Sequence, residues 1–155
     1  MSCMRNPELE RALHEADSCL FLCSGNMIRS AFAELYASHL GWSLPVRSAG
    51  TTYSNSRIHH ETRAALLARG VDSAAILSFR PSLITDLSPA VSSGELVLGM
   101  TREHLELAAA QGASGPSFLL MEAFSESIEI ADPYFEGGFE GVFNDIARCV
   151  EALAS

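Results

Sequence analysis

Lysine is absent from this 155-residue chain; all ten basic residues are arginine. The absence excludes a Walker A phosphate loop, which needs Gly-Lys, and any mechanism through a lysine Schiff base. Basic tracts are missing as well. Nineteen Asp and Glu against ten arginines leave a formal net charge of −9, so nucleic acid is not an expected partner. There is no stretch of about 18 apolar residues, the length a membrane span requires, and no membrane association is expected. The first twenty residues carry Arg5, Glu8, Glu10, Arg11, Glu15 and Asp17, which breaks up any signal-peptide core. The cysteines Cys3, Cys19, Cys23 and Cys149 form no CxxC pair. A disulfide scaffold is not expected in a chain long enough to bury a full core, and free thiols in a reducing cytoplasm are.

What is present is an ordinary globular composition, with 48% apolar and 19% charged residues. Asn6-Pro7 reads as a helix start, an N-cap followed by proline at the first helical position, with Leu9, Ala12, Leu13 and Ala16 on one face. Residues 1–17 form an N-terminal helical extension and residues 18–155 the main domain. Short apolar runs at Ser18–Cys23, Leu44–Ala49, Glu95–Met100 and Ser117–Met121 read as strands. They alternate with helices predicted over Ser30–Leu40, Glu61–Arg69, Thr101–Gln111 and Phe139–Ala154. A short helix is expected around Ser88-Pro89. Glu122 to Gly138 reads as a loop rich in acids and glycine. The alternation predicts an α/β fold, a single-domain three-layer sandwich with a parallel sheet covered on both faces. In such sheets ligands sit beyond the carboxyl ends of the strands.

The segment Cys23-Ser24-Gly25-Asn26-Met27-Ile28-Arg29-Ser30 lies where the first strand gives way to the first long helix. A loop this short, wrapped into a helix N-terminus, can aim successive backbone N–H groups into one concavity that fits a phosphate-sized oxyanion. Gly25 and Asn26 are residue types that tolerate left-handed backbone angles. Arg29 offers a planar fork matched to two phosphate oxygens. Cys23 would lie beneath the phosphorus, in line for attack. A free thiol is only about 3% ionised at pH 7, and a helix dipole supplies at most about 2 kcal/mol. Arg29 and the Ser30 hydroxyl are the natural further sources of thiolate stabilisation. Ester cleavage also needs a proton for the leaving oxygen. Asp132-Pro133-Tyr134, in the acidic loop, supplies a carboxyl group and a ring that could stack on an aromatic substrate.

Residues Cys23 to Ser30 resemble the phosphate loop of the low-molecular-weight protein tyrosine phosphatases. Ser48-Ala49-Gly50-Thr51, Leu96 to Met100 and Asp132-Pro133-Tyr134 also look like that family, in the same order. The resemblance spans about residues 18 to 153 and implies a four-stranded parallel sheet flanked by helices. It implies a tyrosine-phosphorylated protein as substrate and a cysteinyl-phosphate intermediate hydrolysed by water, with no metal or other cofactor. On it, Cys23 is the nucleophile, Arg29 binds phosphate, and Asp132 is general acid and then base. Ser24, Gly25, Asn26, Met27, Ile28 and Ser30 form the substrate cradle, with Asn26, Ser30 and Ser48 supporting the loop. Tyr53 and Tyr134 are the candidate pocket aromatics.

The sequence departs from the family pattern in several places. Ile28 stands where a second cysteine is usual, Ala31 where proline is common, Tyr53 near the position of an expected tryptophan, and Thr101 where aspartate is common. Arsenate reductases share the loop but need further cysteines, and none lies between Cys23 and Cys149. Arginine phosphatases are closer. Met-Thr-Arg-Glu-His at 100 to 104 resembles that bacterial branch, whereas Met27 offers an apolar wall better suited to an aromatic ring. A non-catalytic phosphoprotein-binding module is the remaining alternative. His59-His60-Glu61 lacks a second histidine four residues on and is read as a solvated helix start. His39 and His104 read as surface or satisfied helical histidines. Glu122, Glu126, Glu129, Glu136 and Glu140 read as a solvated acidic rim that would disfavour acidic peptides.

Overall fold

β1 (Ser18–Cys23) is buried along five successive residues, Cys19 to Cys23, as a strand covered on both faces must be. The computed structural model describes residues 6–133 and 138–154 of the chain. α1 (Pro7–Glu15) precedes β1, capped by the Asn6 side chain, which accepts from the backbone of Glu8 and Leu9. Then come α2 (Arg29–Leu40), β2 (Val46–Gly50), α3 (His60–Ala68), α4 (Ser73–Ser78), β3 (Glu95–Gly99), α5 (Arg102–Ala110), β4 (Ser117–Leu119) and α6 (Phe139–Leu153). The four strands form one parallel sheet in the order β2-β1-β3-β4. This is the expected α/β architecture.

Alternate residues of the central strands feed two cores. Cys19, Phe21 and Cys23 with Leu96 and Leu98 face Phe32 of α2 and Phe143 and Val150 of α6. Leu20, Leu22, Ala49 and Val97 face Ala108 of α5 and Ile84. The predicted inward stripe of α6, Val142, Phe143, Ile146, Cys149, Val150 and Leu153, is buried. β1 ends with Cys23 opposite Gly50 of β2. A Cβ at Gly50 would lie 2.7 Å from the carbonyl oxygens of Ser24 and Tyr53. Glycine is therefore required where β2 passes the loop that leaves β1.

The structure corrects several boundaries. The helix expected around Ser88-Pro89 does not form, because proline disfavours helical angles in the residue before it. A single 3-10 turn at Ile84–Asp86 lies upstream instead, and Leu87 and Val91 cover the second core without helical structure. α4 is a helix the sequence reading did not contain; at six residues its periodicity is too short to register, although Asp72 caps it. The fourth strand stops at Leu119, where the Glu122 carboxylate accepts from the Leu119 N–H and starts a 3-10 helix, Leu120–Phe124.

Candidate functional site

Between the end of β1 and the start of α2 the chain turns through residues 24–28. No backbone N–H from Ser24 to Arg29 is used in a hydrogen bond among the described residues, so the turn presents a set of donors to an anion. Asn26 holds the turn in a left-handed conformation, φ 57°. Gly25 does not share that conformation. Its Cβ would instead lie 2.4 Å from the Tyr53 ring, so glycine serves here by letting that ring lie across the loop.

Hydrogen-bond counting fixes the orientation of the Asn26 amide. The Asn26 Nδ2 amide donates to Ser30 Oγ at 2.9 Å and to Ser48 Oγ at 2.8 Å, and Asn26 Oδ1 accepts from the Ser82 N–H at 2.9 Å. Each polar hydrogen of this fully buried side chain has a partner. Ser30 Oγ accepts from Asn26, which leaves its own proton for the Cys23 sulfur or for the more distant Ala49 carbonyl, 3.5 Å away. Cys23 Sγ lies 3.0 Å away, and the Ser30 N–H also points at it, at 3.4 Å. Two donors thus converge on the sulfur, an arrangement that favours the thiolate. Ser48 Oγ in turn donates to Glu34 Oε1 at 2.6 Å. Burial pushes the Glu34 carboxyl above its usual range, against the Ser48 hydrogen bond, which lowers it. Burial pushes the Cys19 thiol well up and that of Cys149 up to about 12, aided by Glu95 and Asp145 respectively.

Arg29, only 4% exposed, reaches across the mouth. Its Nη1 donates to the Ile130 carbonyl at 2.8 Å, and its Nη2 lies 3.7 Å from Asp132 Oδ2. The guanidinium carries five N–H donors, so others remain for an anion. The Ile130 N–H is bound to the Met100 carbonyl at 2.8 Å, tying the Asp132 segment to the end of β3. Cys23, Ser24, Gly25, Met27, Ile28, Arg29, Tyr53 and Asp132 line one concavity. The expected residues Asn26 and Ser30 lie beneath it, buried. Tyr134 lies outside the described residues.

Two contributors escaped the sequence reading. Glu34 sits one turn beyond Ser30 on α2, and that spacing was the available signal. His104 is 2% exposed and bonded on both ring nitrogens, to the Thr101 N–H and to Ser24 Oγ. Burial and the nearby Arg29 charge push its pKa down to about 3, so it is neutral. It is satisfied, as expected, but it belongs to the site. The rim also differs from expectation. Glu122 turns inward and accepts from Asn6 and Leu119, where it holds structure together. Glu126 and Glu129 are exposed and Glu136 lies outside the described residues. Another wall, through Met27, is formed by Arg57, His59, His60 and Arg63 around a cleft of about 480 Å³. Among the described residues no group of three or more potential metal ligands forms, and no helix is long and apolar enough to cross a membrane.

Residues 18–155 match the family model described as low molecular weight phosphotyrosine protein phosphatase. Among solved structures, a low molecular weight protein tyrosine phosphatase from Bacillus subtilis is 26% identical, with a TM-score of 0.69, covering 88% of this chain and 94% of its own. The YwlE arginine phosphatase from Geobacillus stearothermophilus is 24% identical, with a TM-score of 0.72 over 88% of this chain and 90% of its own. The tyrosine phosphatase AmsI of Erwinia amylovora is 19% identical, with a TM-score of 0.71 over 89% and 91%. No curated protein sequence matches significantly.

Proposed function

This chain belongs to the low molecular weight phosphotyrosine protein phosphatase family, a phosphoric monoester hydrolase family, and from that premise we propose the roles of its residues. The Cys23 thiolate attacks phosphorus. The P–O bond of the substrate breaks, and Asp132 protonates the departing phenolic oxygen. Water, deprotonated by the same carboxylate, then attacks the cysteinyl phosphate. The P–S bond breaks, which returns the thiolate and releases inorganic phosphate. Arg29 and the loop N–H groups hold the three non-bridging oxygens in both steps, acting on charge as it redistributes.

The observation that carries this reading is the donor chain Asn26 to Ser30 to Cys23, which ends on sulfur beneath an open set of backbone donors. Arg29 adds to it by joining the loop to the Asp132 segment. Cytoplasmic residence is the compartment in which free Cys19, Cys23 and Cys149 thiols persist.

Phosphotyrosine is the proposed substrate group, because Met27 and Tyr53 give the concavity apolar walls. Phosphoarginine is the second reading, favoured by the fold shared with an arginine phosphatase. A comparison of phosphotyrosine, phosphoserine and phosphoarginine peptides separates them. Preferred turnover of phosphotyrosine is expected, and dominant phosphoarginine turnover would replace it with the second reading. Binding of all three without turnover would leave a phosphoprotein-binding module.

A further inference from the structure

His104 lies outside the phosphate loop, yet its two ring nitrogens determine which way the hydrogen bond to a hydroxyl inside it runs. Nδ1 is 3.1 Å from the backbone nitrogen of Thr101. A backbone N–H can only donate, so Nδ1 accepts and carries no proton. A neutral imidazole then has its proton on Nε2. Nε2 is 3.0 Å from Ser24 Oγ, and in that bond the histidine is the donor and the serine oxygen the acceptor. The doubly protonated ring is disfavoured three times over, by burial, by the charge of Arg29, and by the Thr101 N–H facing Nδ1. The arrangement is also anchored. Thr101 Oγ1 accepts from the His104 N–H, so side chain and backbone lock each other at the start of α5.

The consequence falls on Ser24. Among the described residues His104 is the one side-chain partner of its hydroxyl. With a lone pair on Oγ occupied by the histidine, the hydroxyl proton is directed elsewhere, and Ser24 lines the concavity beside Cys23 and Arg29. We propose that His104 is a positioning residue whose Nε2–H donates to Ser24 Oγ and thereby commits the Ser24 hydroxyl to act as a donor to the bound phosphoryl group. Without that bond the hydroxyl could rotate and set a lone pair against the anion. The proposal rests on the reading of residues 23–30 as a phosphate cradle and adds to it a side-chain donor controlled from α5.

Two measurements test it together. The first is long-range proton–nitrogen NMR of the 15N-labelled protein at neutral pH. His104 is expected to show a bare Nδ1 and a protonated Nε2, and the opposite tautomer overturns the assignment. The second is competitive inhibition by inorganic phosphate in the wild type, Ser24→Ala, His104→Phe, His104→Gln and the Ser24→Ala/His104→Phe pair. A hydrogen bond to an anion predicts about tenfold weaker phosphate binding for Ser24→Ala. His104→Phe should show a similar loss in the wild-type background and almost none in the Ser24→Ala background. His104→Gln, whose amide can accept from Thr101 and donate to Ser24, should recover most of the affinity. Losses that multiply in the double variant, or an unchanged phosphate affinity in Ser24→Ala, overturn the proposal alone. Should His104→Phe fail to fold, the tautomer and the Ser24→Ala affinity still decide it. A wild type that binds no phosphate overturns the cradle reading and this proposal with it.

Discussion

Both amide hydrogens and the carbonyl oxygen of the Asn26 side chain are engaged inside or directly beneath the phosphate loop, whereas the segment carrying Asp132 is held from outside. That segment meets the rest of the molecule through the Ile130 N–H on Met100, the Ile130 carbonyl on Arg29, and the Glu129 carboxylate on the Arg102 N–H. The loop is thus shaped before any anion arrives, by side chains buried with it. The acid segment is placed by Arg29, the same residue proposed to bind the anion. The difference assigns distinct failures to the two regions. Damage to the loop should affect binding and the thiolate together, whereas damage to the acid segment should affect proton transfer and leave binding intact.

The largest effect expected is that of Cys23→Ser, which removes the proposed nucleophile but none of the N–H donors nor Arg29. Turnover of an aryl phosphate should be abolished while competitive binding of phosphate stays measurable. Single-turnover activity within about tenfold of wild type would remove Cys23 from the covalent role. Asp132→Ala follows, with a loss of about 10²–10⁴-fold in rate on phenolic esters, the usual worth of general acid catalysis. The loss should shrink as the leaving group becomes more acidic, because a good leaving group needs no proton. A loss indifferent to leaving-group pKa would break the division drawn between the two regions.

Asn26→Ala should be milder in rate, about 10–100-fold, yet it should lower stability as well, by about 1–3 kcal/mol, because it orphans buried partners. Slower alkylation of Cys23 by iodoacetamide at neutral pH should accompany it, since Ser30 would lose the bond that directs its proton to sulfur. Alkylation as fast as in the wild type would confine Asn26 to folding. The smallest effect concerns the mouth. Arg57 and Arg63 line one wall and Glu126 and Glu129 stand on the acid segment. Exposed charge pairs are worth at most about 1 kcal/mol and are screened by salt. Arg63→Glu should therefore raise KM for peptides with acidic flanks by only a few-fold, an effect that fades at high ionic strength, with kcat unchanged.

Much of this molecule can be read along the chain. The strands at Ser18–Cys23 and Glu95–Gly99 are continuous apolar runs, and α6 carries its stripe at helical spacing, because burial on a parallel sheet demands those patterns. The cradle is legible for a related reason: nucleophile, donors and arginine lie within eight consecutive residues. α4 and the segment 82–94 were not legible, since neither holds enough turns to show a period. The acid segment was visible only as Asp-Pro among other acids, and its attachment to Arg29 and Met100 spans many residues of sequence.

By itself, then, the order of residues determined the layered α/β architecture, the loop at the end of β1 and the placing of Cys23 and Arg29 within it, since these depend on local spacing and burial. The tertiary structure alone decided which protons point where. It brought Ser48 and Glu34 under Asn26, set Ile130 on Arg29, and placed His104, eighty residues away, on the Ser24 hydroxyl. Those contacts arise because parallel strands deliver their carboxyl ends to one edge of the sheet, so that loops distant in sequence meet there. A hydrogen bond depends on positions defined to a few tenths of an ångström, and only the packed fold supplies them.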